Sequence, residues 1–208
     1  MGTEAMAAGF ISIARVLFGV VLACAVTPGN LRAGVPGDQV RATADRVLRI
    51  LNDPKLARPA AREERRQKLR EAIYPRFDFP EMARRSLGAA WRRITPAERQ
   101  EFVKLFTQLL EDSYIRNIES YHGERIVYGR ETEEQGFAEV ATKIVTDKGE
   151  EIAVNYRLHK TDGDWKVYDV VIENVSLVNN YRAQFSRLLN QMTFAEVLDR
   201  IRRQLSKS

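Results

Sequence analysis

Cysteine is all but missing from this chain: Cys24 is the only one in 208 residues. Neither a disulfide framework nor a cysteine-based zinc site can be built from it. Histidine is nearly as scarce, with His122 and His159 far apart and no other metal ligands at workable spacing. Twelve glycines and seven prolines are too few for a collagen-like or largely disordered chain. No apolar run reaches the roughly 20 residues that a membrane span requires. Charge of one sign is lacking too: 33 Lys and Arg stand against 28 Asp and Glu, interleaved along the sequence. The resulting +5 is no footprint of nucleic acid. There is no glycine-rich phosphate loop and no G-x-S-x-G elbow. What remains is 44% apolar sequence, enough for one globular domain with a large core.

The first forty residues carry an address. Arg15 precedes an apolar run from Val16 to Val26, and Thr27, Pro28, Gly29 and Asn30 then break any helix. A run of this length fits the hydrophobic region of a secretory signal peptide. Its end near Ala33 divides the chain into a signal segment, 1–33, and an exported domain, 34–208. Two other readings of these residues stay open. Val21, Leu22 and Ala23 before Cys24 resemble a lipobox in which the cysteine is acylated, and the run could instead be a buried N-terminal helix.

From Asp38 to about Tyr121 the periodicity is helical. Asp38 is placed to cap a helix with Val40, Ala44, Val47, Leu48 and Leu51 on one face. A second helix is expected from Pro59 to Tyr74, its mixed charges, with Glu64 and Lys68 at i,i+4, forming a solvated face. Pro80 starts a third, including Met82, Leu87 and Trp91. Thr95, Pro96 and Glu98 read as a capping box for a long helix with Phe102, Val103, Phe106, Leu109, Leu110, Tyr114 and Tyr121 on one stripe. Ser113 and Asn117 fall on that stripe too, and either mark a cavity or hold a neighbouring backbone.

After Gly123 the period becomes two. Strands are expected at Arg125 to Tyr128, Phe137 to Thr146, Glu150 to Lys160 and Asp164 to Glu173, joined by short turns as antiparallel hairpins. In the last strand strict alternation puts Trp165, Val167 and Val171 on one face and Tyr168, Val170 and Ile172 on the other. Ser176 caps a helix bearing Leu177, Val178, Tyr181, Phe185, Leu188, Leu189 and Met192, and Thr193 with Glu196 makes a second capping box. The fold class is α+β: a curled antiparallel sheet of about four strands packed with helices from both ends of the chain.

Catalytic signals are sparse. His122 and His159 read as surface histidines. Asp169, between Val167 and Val171, is either a general base with a raised pKa or a hydrogen-bonded structural carboxylate, and Glu173 reads the same way. The abundant feature is apolar surface facing a curled sheet, which makes either a filled core or a ligand cavity.

Particular residues bear on that choice. Phe77-Asp78-Phe79, Met82-Ala83, Leu87-Gly88, Trp91 and Thr95-Pro96 resemble the N-terminal signature of the MlaC, or toluene-tolerance Ttg2, family. Trp165, Val167-Tyr168-Asp169, Ile172-Glu173, Val175-Ser176-Leu177, Asn180-Tyr181-Arg182 and Phe185 are similar to its C-terminal signature. Where the family usually has glycine, this chain has Asn174, which also tolerates positive φ. The resemblance implies a periplasmic phospholipid carrier without enzymatic activity or cofactor, the bound lipid being cargo. The partners it implies are a phospholipid or a hopanoid-like polycyclic lipid, an outer-membrane lipoprotein complex and an inner-membrane ABC transporter with an MCE ring. The pocket wall it implies comprises Phe106, Leu110 and Tyr114 from the long helix and Val140, Ile144, Val154, Tyr156, Trp165, Val167 and Val171 from the sheet. Val175, Val178, Tyr181, Phe185 and Leu188 complete it. Arg157, Lys166 and Arg182 are candidates for contact with partners or anionic membrane. A structural envelope protein and a cone-shaped isomerase using Asp169 are the alternatives.

Overall fold

A computed structural model of the chain describes residues 35–207 apart from 122. The expected signal segment, Cys24 and His122 lie outside the described residues. No described helix is long and apolar enough to cross a membrane.

The first helix, α1 (Val35–Leu51), starts three residues before Asp38. Pro36 accounts for the early start, because proline's fixed φ and missing N–H suit a first helical turn. Asp38 thus sits inside that turn, where its charge favours the helix dipole. A 3-10 turn (Pro59–Ala61) leads into α2 (Arg62–Ile73), and another (Tyr74–Arg76) leads out. Next comes α3 (Phe79–Leu87), capped by the Asp78 carboxylate, which accepts from the Glu81 amide at 2.9 Å. Gly88, at φ +56°, ends it, so Trp91 falls in a separate 3-10 turn (Gly88–Arg92) and not in the helix.

The long helix α4 (Pro96–Glu119) begins with the expected capping box. The Thr95 hydroxyl accepts from the Glu98 amide at 3.3 Å, while Glu98 accepts from the Thr95 amide at 2.7 Å. Tyr121 lies beyond its end. Ser113 donates to the Leu109 carbonyl at 2.7 Å, the backbone-holding role, and Asn117 is exposed.

Five strands, not four, form the antiparallel sheet, in sequence order: β1 (Arg125–Glu134), β2 (Phe137–Val145), β3 (Glu151–Thr161), β4 (Asp164–Ile172) and β5 (Val175–Ser176). The extra strand is the far arm of a tight hairpin in which Ile172 pairs with Val175 across Glu173 and Asn174, both at positive φ. That is the two-residue turn whose twist matches a hairpin. β1 runs six residues past the expected Tyr128 because a register shift between Tyr128 and Glu131 absorbs one extra residue and lets pairing continue.

Two helices close the chain, α5 (Leu177–Leu189), capped by Ser176, and α6 (Phe194–Leu205), capped by the second box. Their apolar stripes meet α3 and α4 in a helical core holding Met82, Phe102, Phe106, Leu110, Phe185 and Ile201. Phe102, Phe106 and Phe185 are fully buried, each stabilising by roughly 1.5–3 kcal/mol, with ring centroids 5.2–6.0 Å apart. A separate core joins α1 to the sheet: Val40 packs with Ala138, Val140, Leu158, Trp165 and Val167.

Candidate functional site

Directly opposed residues of paired strands share a face, so the register assigns each side chain to one side of the sheet. On the side covered by α1, cross-strand rows run Ile126, Ile144, Ile152; then Tyr128, Thr142, Val154, Ile172; then Glu131, Val140, Tyr156, Val170. Beyond these, Ala138 and Leu158 align with Val167. The β3–β4 register shifts at this point: Arg157 opposes Asp169 but Leu158 opposes Val167, leaving Tyr168 as the extra residue. This bulge corrects the expected alternation. Trp165 and Val167 share the α1 side with Val170 and Ile172, whereas Val171 and Asp169 face the other way, toward α5.

The α5 side is polar at its centre. Asp169 is 3% exposed, and both its oxygens are occupied: Oδ1 accepts from the Val178 amide at 3.0 Å, and Oδ2 from the Ser176 hydroxyl at 2.6 Å and Arg157 at 3.4 Å. It thereby ties β4 to the first turn of α5, a structural carboxylate. Arg157 also holds Glu139 at 3.0 Å, and Lys166 donates to Asp164 and the Pro75 carbonyl. Of the three candidate partner contacts only Arg182, lying over Gly88, stands exposed without a carboxylate among the described residues. His159 is no surface histidine. It is 19% exposed and bonds Asp78 at 2.8 Å, joining β3 to the cap of α3. Glu173 is structural too, its carboxylate accepting from the Ala153 amide at 2.5 Å.

The residues expected to line a pocket divide three ways. Phe106, Leu110, Val178, Tyr181 and Phe185 belong to the helical core, with Tyr114 and Leu188 at its margin. Val140, Trp165 and Val167 belong to the α1 core, with Tyr156 at its margin. Ile144 and Val154 lie on the α1 side of the sheet but in neither core, Val171 faces α5, and Val175 is 39% exposed in β5.

Sequence reasoning missed what surrounds Ile144. Ile126, Ile152 and Ile172 share its side of the sheet and are only half-buried, as are Val47, Leu48 and Leu51 on the continuing stripe of α1. The tyrosines there are deep: burial pushes the Tyr128 phenol up to about 12 and raises that of Tyr156 as well. Both nevertheless keep part of their surface open. Deep side chains with open surface, set among half-buried isoleucines, form an apolar wall that the packed cores leave uncovered. Two clefts elsewhere are polar. One of about 610 Å³ is bordered by Arg70, Tyr74, Lys104, Glu111 and Asp112, and one of about 240 Å³ by Glu196, Asp199, Arg200 and Arg203. Neither includes an expected lipid contact.

Comparison with known proteins adds four findings. A family model described as "MlaC protein" matches residues 41–203. The intermembrane phospholipid transport system binding protein MlaC of Haemophilus influenzae is 22% identical over 164 residues, 76% of this chain and 73% of that protein. The toluene tolerance protein ttg2D of Pseudomonas putida is 27% identical over 96 residues, 46% of this chain and 45% of that one. Among solved structures, a phospholipid-binding protein from Ralstonia solanacearum, in complex with a phospholipid, superimposes with a TM-score of 0.73 at 25% identity, covering 84% of this chain and 99% of its own.

Proposed function

This chain belongs to the MlaC family, and from that premise we propose that it is a periplasmic phospholipid carrier. It moves lipid between an outer-membrane lipoprotein complex and an inner-membrane ABC transporter bearing an MCE ring, and so maintains outer-membrane lipid asymmetry. Exposing an acyl chain of about 16 methylenes to water costs on the order of 13 kcal/mol, at roughly 0.8 per CH₂, which makes unaided transfer slow. An apolar wall that replaces the bilayer removes most of that cost. Loading forms no covalent bond and is reversible, so direction comes from the partners.

The observation that carries this reading is the half-buried apolar row of Ile126, Ile144 and Ile152, which lies outside both packed cores, in a fold shared with a protein solved in complex with a phospholipid. Native mass spectrometry of the protein from a bacterial periplasm tests it. One diacyl phospholipid per chain is the expected adduct. It should be lost in Ile144→Arg, a change outside both cores whose far-UV circular dichroism should match the wild type. Bare protein that also takes up no lipid from vesicles overturns the carrier reading.

A further inference from the structure

Four arginines gather at one turn with no carboxylate to hold them. Gly88–Arg92 is a single 3-10 turn between α3 and α4, about 8 Å long at roughly 2 Å per residue. Arg92 and Arg93 leave its far end, both exposed. Arg182, exposed on α5, lies across its near end, its Cδ 3.4 Å from where a β-carbon on Gly88 would stand. Arg99, in the first turn of α4, donates from Nε to the Trp91 carbonyl at 3.1 Å and sets its guanidinium 5.4 Å from the centre of the indole. The neighbouring Arg84 and Arg85 are both held by Glu81. Arg92, Arg93, Arg99 and Arg182 make no ion pair among the described residues. Glu98, the acid beside them in sequence, is engaged by the Thr95 amide and hydroxyl. Four positive charges against one negative thus meet here, in a chain whose whole excess is +5.

Like charges this close repel one another, and an anionic partner relieves that cost. The turn itself says which partner. Gly88, Ala89 and Ala90 carry little or no side chain, and Ala89 is exposed, so nothing bulky holds a flat surface away from the arginines. Trp91 is half-buried at the margin of the helical core, an apolar ring with a polar N–H at one boundary. Indoles take that position at the edge of a bilayer. A guanidinium binds phosphate oxygens in pairs, and a lipid surface presents phosphates everywhere across a plane. Arginines from three separate segments can all reach such a plane, whereas an acidic stretch of protein would have to match their spacing.

We propose that the turn from Gly88 to Arg93, together with Arg99 and Arg182, docks the protein on an anionic lipid surface. The arginines meet the phosphates, and Trp91 stands behind them. Such an attraction speeds encounter with a bilayer and is screened by salt, so docking is quick and reversible. The proposal concerns the bilayer surface, not the cargo, and stands whether or not the isoleucine rows carry a lipid.

Flotation with vesicles of phosphatidylcholine, with and without phosphatidylglycerol, tests it at low and high salt. The expected result is binding to the phosphatidylglycerol vesicles alone, lost at high salt. Arg92→Gln, Arg93→Gln and Arg182→Gln should each weaken it about fivefold, the worth of one arginine near an anionic surface. Arg130→Gln, which removes the same charge from an exposed site on β1, should leave binding nearly unchanged. All four variants should keep the far-UV circular dichroism of the wild type. Wild-type protein that binds neither vesicle, or both equally, overturns the docking surface. If it instead binds polyglutamate, and the same three substitutions abolish that, the partner is an acidic protein and not a membrane. A loss in Arg130→Gln equal to the others overturns the assignment to this turn, since net charge alone would then explain the binding. Native mass spectrometry of the same samples reports cargo separately, so a missing lipid adduct counts against the carrier reading and leaves the docking result standing.

Discussion

Asp164 and Asp169 sit five residues apart on one strand and are held by different means. Asp169 is buried and serves as a second cap for α5, its oxygens taken up by an amide, a hydroxyl and a guanidinium. Asp164 keeps 39% of its side chain open. Burial pushes its carboxyl up, but hydrogen bonds from Lys166 and Arg76 outweigh that and bring it down to about 2. A carboxylate whose folded pKa lies below its unfolded value, near 3.9, adds stability that is fully present above about pH 4 and is lost as pH falls toward 2. Solvent screening at so open a site keeps the effect small. Urea midpoints measured at about pH 5 and about pH 2.5 should therefore fall less in Asp164→Asn than in the wild type. An identical fall in both would assign the acid sensitivity to other carboxylates.

At the scale of elements, the capping-box helix starts were legible and the faces of β4 were not. Thr95 with Glu98 and Thr193 with Glu196 announce capping boxes, and both form, because a cap depends on groups within three residues. The bulge at Tyr168 carries no such local mark. Its neighbours Val167, Val170 and Val171 are all apolar, so either alternation reads equally well until β3 pairs with the strand. The turn after β4 lies between these cases. Asn174 was readable as a residue that tolerates positive φ, and it adopts +65°, but Glu173 at +47° was not, since the Ala153 amide that holds it comes from another strand. Asn174→Ile should cost about 1–2 kcal/mol in urea unfolding, the penalty for a β-branched residue in the left-handed region, while Asn174→Gly should cost nothing. Equal stability of the two variants would mean that the turn relaxes to another shape.

For the whole molecule, cargo and stability are linked, because a lipid that binds only the folded chain stabilises it by mass action. Lipid at about a hundred times its Kd adds roughly 2.7 kcal/mol, or about 5–10 °C of Tm for a domain of this size. Solvent extraction should lower Tm by that amount, and incubation with phospholipid vesicles should restore it. A Tm unmoved by both treatments would sink the idea that lipid covers the isoleucine rows. The sequence by itself determined the family, the α+β class and most element positions, because caps, turn residues and hydrophobic periods act within a few residues of chain. Only the tertiary structure decided which apolar side chains are filled core and which stay uncovered. That division depends on the cross-strand register, on the bulge that turns Trp165 and Val167 away from Val171, and on how far α1 reaches over the sheet. All three are contacts between residues far apart in the chain, where pattern along the sequence carries no information.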